Sequence, residues 1–210
     1  MRGVRPFAGR AAKRLPAVIG CDEVGRGALC GPVVVAAVWF EPDCLPRGLL
    51  ALLDDSKRIA RAERELLHAK LGECVRFAFA ARSARAIDLY GIRNMTLSAM
   101  RAAVTRLGVD APVRFDGVDV PPGLAGDCRA VVRGDSIVPQ IAAASILAKV
   151  ARDRMMARLA ERHPVYGWGQ NSGYGTAAHR AAIVAAGHTR HHRTSFGDLF
   201  AGLNEKGRAA

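Results

Sequence analysis

The stretch from Val18 to Val38, VIGCDEVGRGALCGPVVVAAV, constrains the fold more than any other. Two apolar runs rich in β-branched residues flank a short polar loop, which predicts two buried strands joined by a glycine-rich bend. The first run ends in adjacent carboxylates, Asp22 and Glu23. Carboxylates at the rim of a buried strand are costly to desolvate without a partner, and a divalent cation is one such partner. Gly25 and Gly27 can take positive φ and admit another molecule's backbone. Arg26 between them offers a planar fork of donors to a phosphate. A plain turn with an Arg26 ion pair to Asp22 or Glu23 explains the same residues, so the rest of the chain has to decide.

The formal charge of +12 over 210 residues favours a polyanionic partner, nucleic acid above all. Arg2, Arg5, Arg10, Lys13 and Arg14 crowd an acid-free start, so residues 1–14 are expected to be a disordered basic tail. Removing it should flatten the salt dependence of nucleic-acid binding. Residues 15–200 are expected to form one catalytic domain with a C-terminal helical extension, and 201–210 a second tail. No apolar run is long enough to cross a membrane, and no signal core is evident. Five cysteines without a C-x-x-C pair indicate neither a zinc site nor a disulfide framework, so a reducing cytoplasm is expected.

Strands are predicted at 17–22, 33–40, 74–82, 112–116 and 128–134. Helices are predicted at 61–71, 87–107 (divisible at Gly91), 139–162 and 176–186. Helices interspersed among strands suggest an α/β or mixed-sheet domain. The small residues Ala142-Ala143-Ala144-Ser145 would let the third helix pack closely on the sheet. Asp116 and Asp135 each end an apolar run. With Asp22 and Glu23 they make four acids at strand ends, which can converge on one side of a sheet. Four close carboxylates repel, with some pKa values pushed up. Two Mg²⁺ or Mn²⁺ ions about 4 Å apart would relieve this and suit phosphodiester hydrolysis. Taken singly, each Asp reads first as a turn or cap residue.

Seven blocks now stand in order: Cys21-Asp22-Glu23-Val24-Gly25-Arg26-Gly27 with Gly31-Pro32-Val33; Asp55-Ser56-Lys57; Asn94 to Met100; Phe115-Asp116-Gly117; Gly134-Asp135; Ile141 to Val150 with Arg152-Asp153; and Gly173-Tyr174-Gly175-Thr176 with His179. Together they resemble the ribonuclease HII family, the bacterial type 2 ribonucleases H, over roughly residues 17–198. The resemblance implies an RNase H-like α/β fold, a mixed five-stranded sheet flanked by helices with a C-terminal helical extension. It implies a metal-dependent endoribonuclease, with Mg²⁺ or Mn²⁺, acting on RNA–DNA hybrids or ribonucleotide-containing duplex DNA, most simply as a monomer. Such an enzyme cuts 5′ of single embedded ribonucleotides and leaves 3′-hydroxyl and 5′-phosphate ends. By motif, Asp22, Glu23, Asp116 and Asp135 match the metal-binding catalytic carboxylates. Gly25, Arg26 and Gly27 match the loop that reads the 2′-hydroxyl at the RNA–DNA junction. Tyr174 matches a tyrosine stacked on the adjacent deoxyribose, and Lys57, Ser145 and Lys149 match phosphate-contacting positions. Arg152 and Asp153 are assigned to structure. Two positions depart from the family pattern: Val118 replaces a usual Asn, and Ser172 replaces a frequent Lys.

Other readings are weaker. Gly134-Asp135-Ser136-Ile137 resembles the nucleophile block of some serine esterases, but no Asp-x-x-His occurs in the chain, and Ser136 is better read as a helix N-cap. Gly25-x-Gly27-x-x-x-Gly31 misses the dinucleotide-binding spacing and leads into a strand. His188, His191 and His192 lack a matching carboxylate or Cys for a metal site and read as a basic tail end, solvated or near phosphates. A non-catalytic hybrid-binding protein on the same fold would gain nothing from four acids. Ribonuclease HIII would be expected to carry an extra N-terminal domain.

Overall fold

The computed structural model describes residues 17–53 and 60–197. The tails and the segment holding Lys57 lie outside the described residues. Strands β1 (Ile19–Val24), β2 (Val33–Trp39), β3 (Arg76–Arg82), β4 (Val113–Asp116) and β5 (Cys128–Val131) form one sheet in the order β3-β2-β1-β4-β5. β1 pairs antiparallel with β2, and β2 with β3, while β4 runs parallel to both β1 and β5. The expected mixed five-stranded sheet is therefore present.

Helices cover both faces. On one face, α1 (Arg47–Leu52), α2 (Arg61–Cys74) and the first half of α5 (Pro139–Arg162) pack on Ala36 and Val38. On the other, α4 (Ile92–Leu107) packs through Ala99, Met100, Ala103 and Leu107 on Ile19, Cys21, Val35, Ala37 and Phe115. α3 (Ala84–Tyr90) precedes α4, and Gly91, at φ 79°, divides the two. The small residues of α5 work as anticipated, since Ala142, Ala143 and Ala144 are fully buried against the sheet. Gly20 completes the fit: a Cβ there would lie 2.1 Å from the Gln140 carbonyl carbon. α5 has 24 residues, about 36 Å at 1.5 Å per residue. Its second half leaves the sheet and anchors a small module with α6 (Trp168–Asn171) and α7 (Ala177–Ala186), built around Leu29, Met156, Tyr166, Trp168 and Ile183.

Several expected boundaries shift for physical reasons. β1 extends to Val24 because its pairing with β2 continues to Val34. Glu23, expected just past the strand, thus sits within it beside Asp22, the two side chains alternating across the sheet. β5 stops at Val131, and Arg133 at φ 55° turns the chain into a 3₁₀ turn, Gly134–Ser136. Asp135 therefore lies on a turn, not on a strand end. Ser136 is not an N-cap, because α5 starts after Val138 without a side-chain cap and the Ser136 hydroxyl instead donates to Asp135 Oδ1 at 3.5 Å. α1 and α6 are too short to leave a periodic signal.

Candidate active site

The sheet register places the acids. Cys21 lies beside Phe115 on parallel β1 and β4, so Asp22 and Asp116 are the next pair along. Both face α5, because Cys21 and Phe115 belong to the α4 side. Asp116 accepts a 2.7 Å bond from the Gly134 N–H, which brings the turn bearing Asp135 alongside. Asp22 and Asp135 are 7% and 5% exposed.

Burial holds Asp22 well above the usual carboxylate range, and the charges of Glu23 and Asp116 push it further up. The Glu23 N–H at 2.7 Å and the Ser145 hydroxyl oppose that shift. Ser145 thus faces a carboxylate in this structure. Burial also raises Glu23, against the lowering effect of Arg26. That ion pair, the alternative weighed from the sequence, forms at 3.4 Å. It coexists with the acid cluster rather than explaining it.

The donor set fits a hard divalent cation. The carboxylates of Asp22, Glu23 and Asp116 repel one another, those of Asp22 and Glu23 are desolvated, and Asp22 has no cationic partner among the described residues. Among the described residues no three His, Cys, Asp or Glu side chains form a group that could hold an ion as they stand. Glu23 is engaged with Arg26 and Asp116 with the Gly134 N–H, contacts that an ion would share or displace.

The loop after β1 is fixed from beneath. Gly25 sits at φ +87°, and a Cβ there would lie 2.1 Å from Arg152 Nε. Fully buried Arg152 donates to the carbonyls of Pro32 (2.9 Å), Cys30 (3.0 Å) and Ser172 (2.8 Å), so its structural assignment holds. Arg193, also fully buried, donates to Arg26 O at 2.8 Å and to Gly31 O at 2.9 and 3.1 Å. Burial lowers its pKa to about 10. Sequence reasoning passed over Arg193, and the only available signal was its place in a His-His-Arg run read as a basic end. His192 corrects that reading too: it is 2% exposed, rings with Tyr166, Trp168 and His179, and is held near pKa 4 chiefly by burial.

The second loop meets the first. Gly173 O accepts from the N–H groups of Leu29 and Cys30 at 2.9 and 3.2 Å. Tyr174 follows, 36% exposed, with its ring 5.5 Å from the Arg152 guanidinium carbon. His179 Nδ1 lies 2.9 Å from Tyr174 O, while its Nε2 accepts from Trp168 Nε1 at 2.9 Å. A neutral His179 therefore donates to Tyr174 O. Lys149 is paired with Asp153 at 2.7 Å, and Ser172 Oγ donates to the same Asp153 oxygen at 3.0 Å. Val118 is 78% exposed.

Gly27 differs from Gly25. It has no positive φ, contrary to expectation, and a Cβ there would meet nothing within 4 Å. Gly27→Ala should therefore leave the melting temperature unchanged. If substrate backbone approaches this exposed face, KM should rise about tenfold or more, the effect of roughly 1–3 kcal/mol of lost or strained hydrogen bonding. Unchanged KM would remove Gly27 from the substrate contact.

Sheet order, two-sided helix cover and a nest of acids where β1 and β4 end define an RNase H-like nuclease. The family model described as Ribonuclease HII matches residues 19–199. Ribonuclease HII of Paramagnetospirillum magneticum (strain ATCC 700264 / AMB-1) is 48% identical over 179 residues, 85% of this chain and 89% of the relative. The solved ribonuclease H2 of Pyrococcus horikoshii OT3 superposes with a TM-score of 0.76 at 22% identity, covering 93% of this chain and all of that one. Bst-RNase HIII, solved in complex with Mn²⁺, has a TM-score of 0.76 at 17% identity, covering 97% of this chain and 74% of that one. These two likenesses carry the fold. The chain belongs to the ribonuclease HII family, endoribonucleases of ribonuclease H type 2.

Proposed function

We propose that the protein hydrolyses RNA in RNA–DNA hybrids and incises duplex DNA 5′ of a single embedded ribonucleotide, leaving 3′-hydroxyl and 5′-phosphate ends. The observation that carries this reading is the coupling of buried Asp22 to Glu23 and Asp116 beside a loop tied through Gly173 to Tyr174. Asp22, Glu23, Asp116 and Asp135 would hold Mg²⁺ or Mn²⁺. When bound, two such ions supply an activated water and charge relief at the leaving oxygen. Ser145 steadies the Asp22 carboxylate. Gly25, Arg26 and Gly27 present backbone groups to the 2′-hydroxyl, the group that separates RNA from DNA at one residue. Tyr174 offers its ring to the neighbouring deoxyribose, where a second 2′-hydroxyl would crowd it. Lys57 and Lys149 contact phosphates, the latter while held by Asp153. The catalytic unit is residues 15–200, flanked by the two tails, and acts as a cytoplasmic monomer. No helix among the described residues is long and apolar enough to cross a membrane.

The test is a DNA duplex carrying one ribonucleotide, incubated with Mg²⁺ or Mn²⁺ and with EDTA. Metal-dependent incision on its 5′ side is expected. Cleavage of long hybrids alone would sink the roles given to Gly25, Arg26, Gly27 and Tyr174. Tight binding without cleavage of either substrate would sink the catalytic reading.

A further inference from the structure

A second feature lies on the same edge of the sheet as the acids. Gly31 and Pro32, entering β2, and Ser83, Ala84 and Arg85, leaving β3, wall a cleft of about 630 Å³. α5 forms the other side through Met155, Arg158, Leu159 and Arg162, one helical face at i, i+3, i+4 and i+7, and Arg190 and His191 close it. The floor is apolar and the rim is cationic. Arg85, Arg158, Arg162 and Arg190 are all exposed, and among the described residues none of them makes an ion pair and no carboxylate lines the cleft. Arg190, His163 and Arg162 together depress the pKa of His191, after burial, so positive potential converges there.

The wall is also stripped of competing acceptors. The carbonyls of Cys30, Gly31 and Pro32 are all taken by Arg152 and Arg193. The loop that carries Gly25, Arg26 and Gly27 on one side therefore turns no free carbonyl from residues 30–32 toward the cleft. β3 stands two strands from β1, about 10 Å at ~4.8 Å per strand. That offset equals about three base-pair steps at ~3.4 Å per nucleotide of a strand.

We infer that this cleft binds backbone phosphates of the substrate duplex on one side of the reacting nucleotide, the side lying over β3, and so gives the enzyme a one-sided footprint. The inference rests on the proposed function for its substrate and adds a polarity to it. Four unpaired arginines suit phosphodiester oxygens in charge and in planar donor geometry. A duplex that crosses the sheet edge from β4 to β3 passes over the acids, then the glycine loop, then the cleft.

The test uses two duplexes of equal length, with the ribonucleotide near one end or near the other. Binding is followed in EDTA by fluorescence anisotropy across a salt series, and cleavage is measured separately with Mg²⁺. The double variant Arg158→Ala/Arg162→Ala should lower the slope of log K against log[salt] by about 2 on one polarity, with affinity down about tenfold or more, and by about 0 on the other. Arg85→Ala/Arg190→Ala, from the facing wall and the closed end, should do the same on the same polarity. Arg158→Lys/Arg162→Lys, which keeps the charge, should restore most of the slope. Equal losses on both polarities, or no loss on either, would overturn the inference. If the parent cleaves neither duplex while the one-sided slope persists, the nuclease reading fails and the cleft stands as a phosphate site.

Discussion

Asp22→Asn should lower kcat by about 10³-fold or more and, at the same time, raise the melting temperature of the metal-free protein. The first effect follows from the several kcal/mol that bound divalent ions contribute to phosphoryl chemistry, at about 1.4 kcal/mol per tenfold in rate. The second follows from the carboxylate's surroundings. Asp22 is raised by burial and by two neighbouring acids, so its folded pKa lies above its unfolded value. Such a group contributes stability that is fully present below the unfolded pKa and is lost as pH rises through the folded pKa. The asparagine carries no such penalty. The gain in melting temperature should therefore grow with pH, and each ~1 kcal/mol is worth ~2–4 °C in a domain of this size. Adding Mg²⁺ should stabilise the parent more than the variant, increasingly so at higher pH, because the ligands must be deprotonated. Calorimetry across pH 4 to 8, with and without Mg²⁺, reads all of this. A variant that melts below the metal-free parent at pH 8, or cuts at the parental rate, would refute the account of the acid nest.

The second large effect belongs to Arg152. Arg152→Met leaves three inward carbonyls, of Cys30, Pro32 and Ser172, without their donor. Each orphaned buried acceptor costs about 1–3 kcal/mol, and three at the low end of that range put the expected loss at about 3–5 kcal/mol, or roughly 10 °C. Arg152→Lys should recover only part of it, because one ammonium cannot reproduce a planar fork. Turnover should suffer beyond the stability loss, since Arg152 underlies both the glycine loop and the ring of Tyr174. A methionine variant with parental melting temperature and KM would show that the loops hold their shape by other means.

The acids were legible because a strand pattern that ends in carboxylates breaks the rule for buried strands, and sequence order alone could align the blocks around them. The close packing of α5 was legible from its run of alanines. The buried arginines were partly so: Arg152 lay inside a recognisable block, whereas Arg193 looked like any solvated cation. Its partners lie 162 and 167 residues away, and no local pattern encodes such a contact. The same holds for His192, which packs beneath Tyr166 and Trp168 although its neighbours in sequence are polar. Ser136 was misread because a cap and a 3₁₀ turn demand the same residue types. The strand limits of β1 and β5 were decided by pairing to β2 and by Arg133 turning left-handed, neither of which local composition reports.

The latch between Arg26 and Arg193 has a consequence during synthesis. The glycine loop leaves the ribosome 167 residues before the arginine that fixes it, an interval on the order of ten to thirty seconds at ~5–20 residues per second. Through that time β1 and its acids can pair with β2 while the loop stays unlatched. A growing chain therefore holds β1 and β2 paired well before the loop between them is fixed, and that loop takes its final shape only when Arg193 docks.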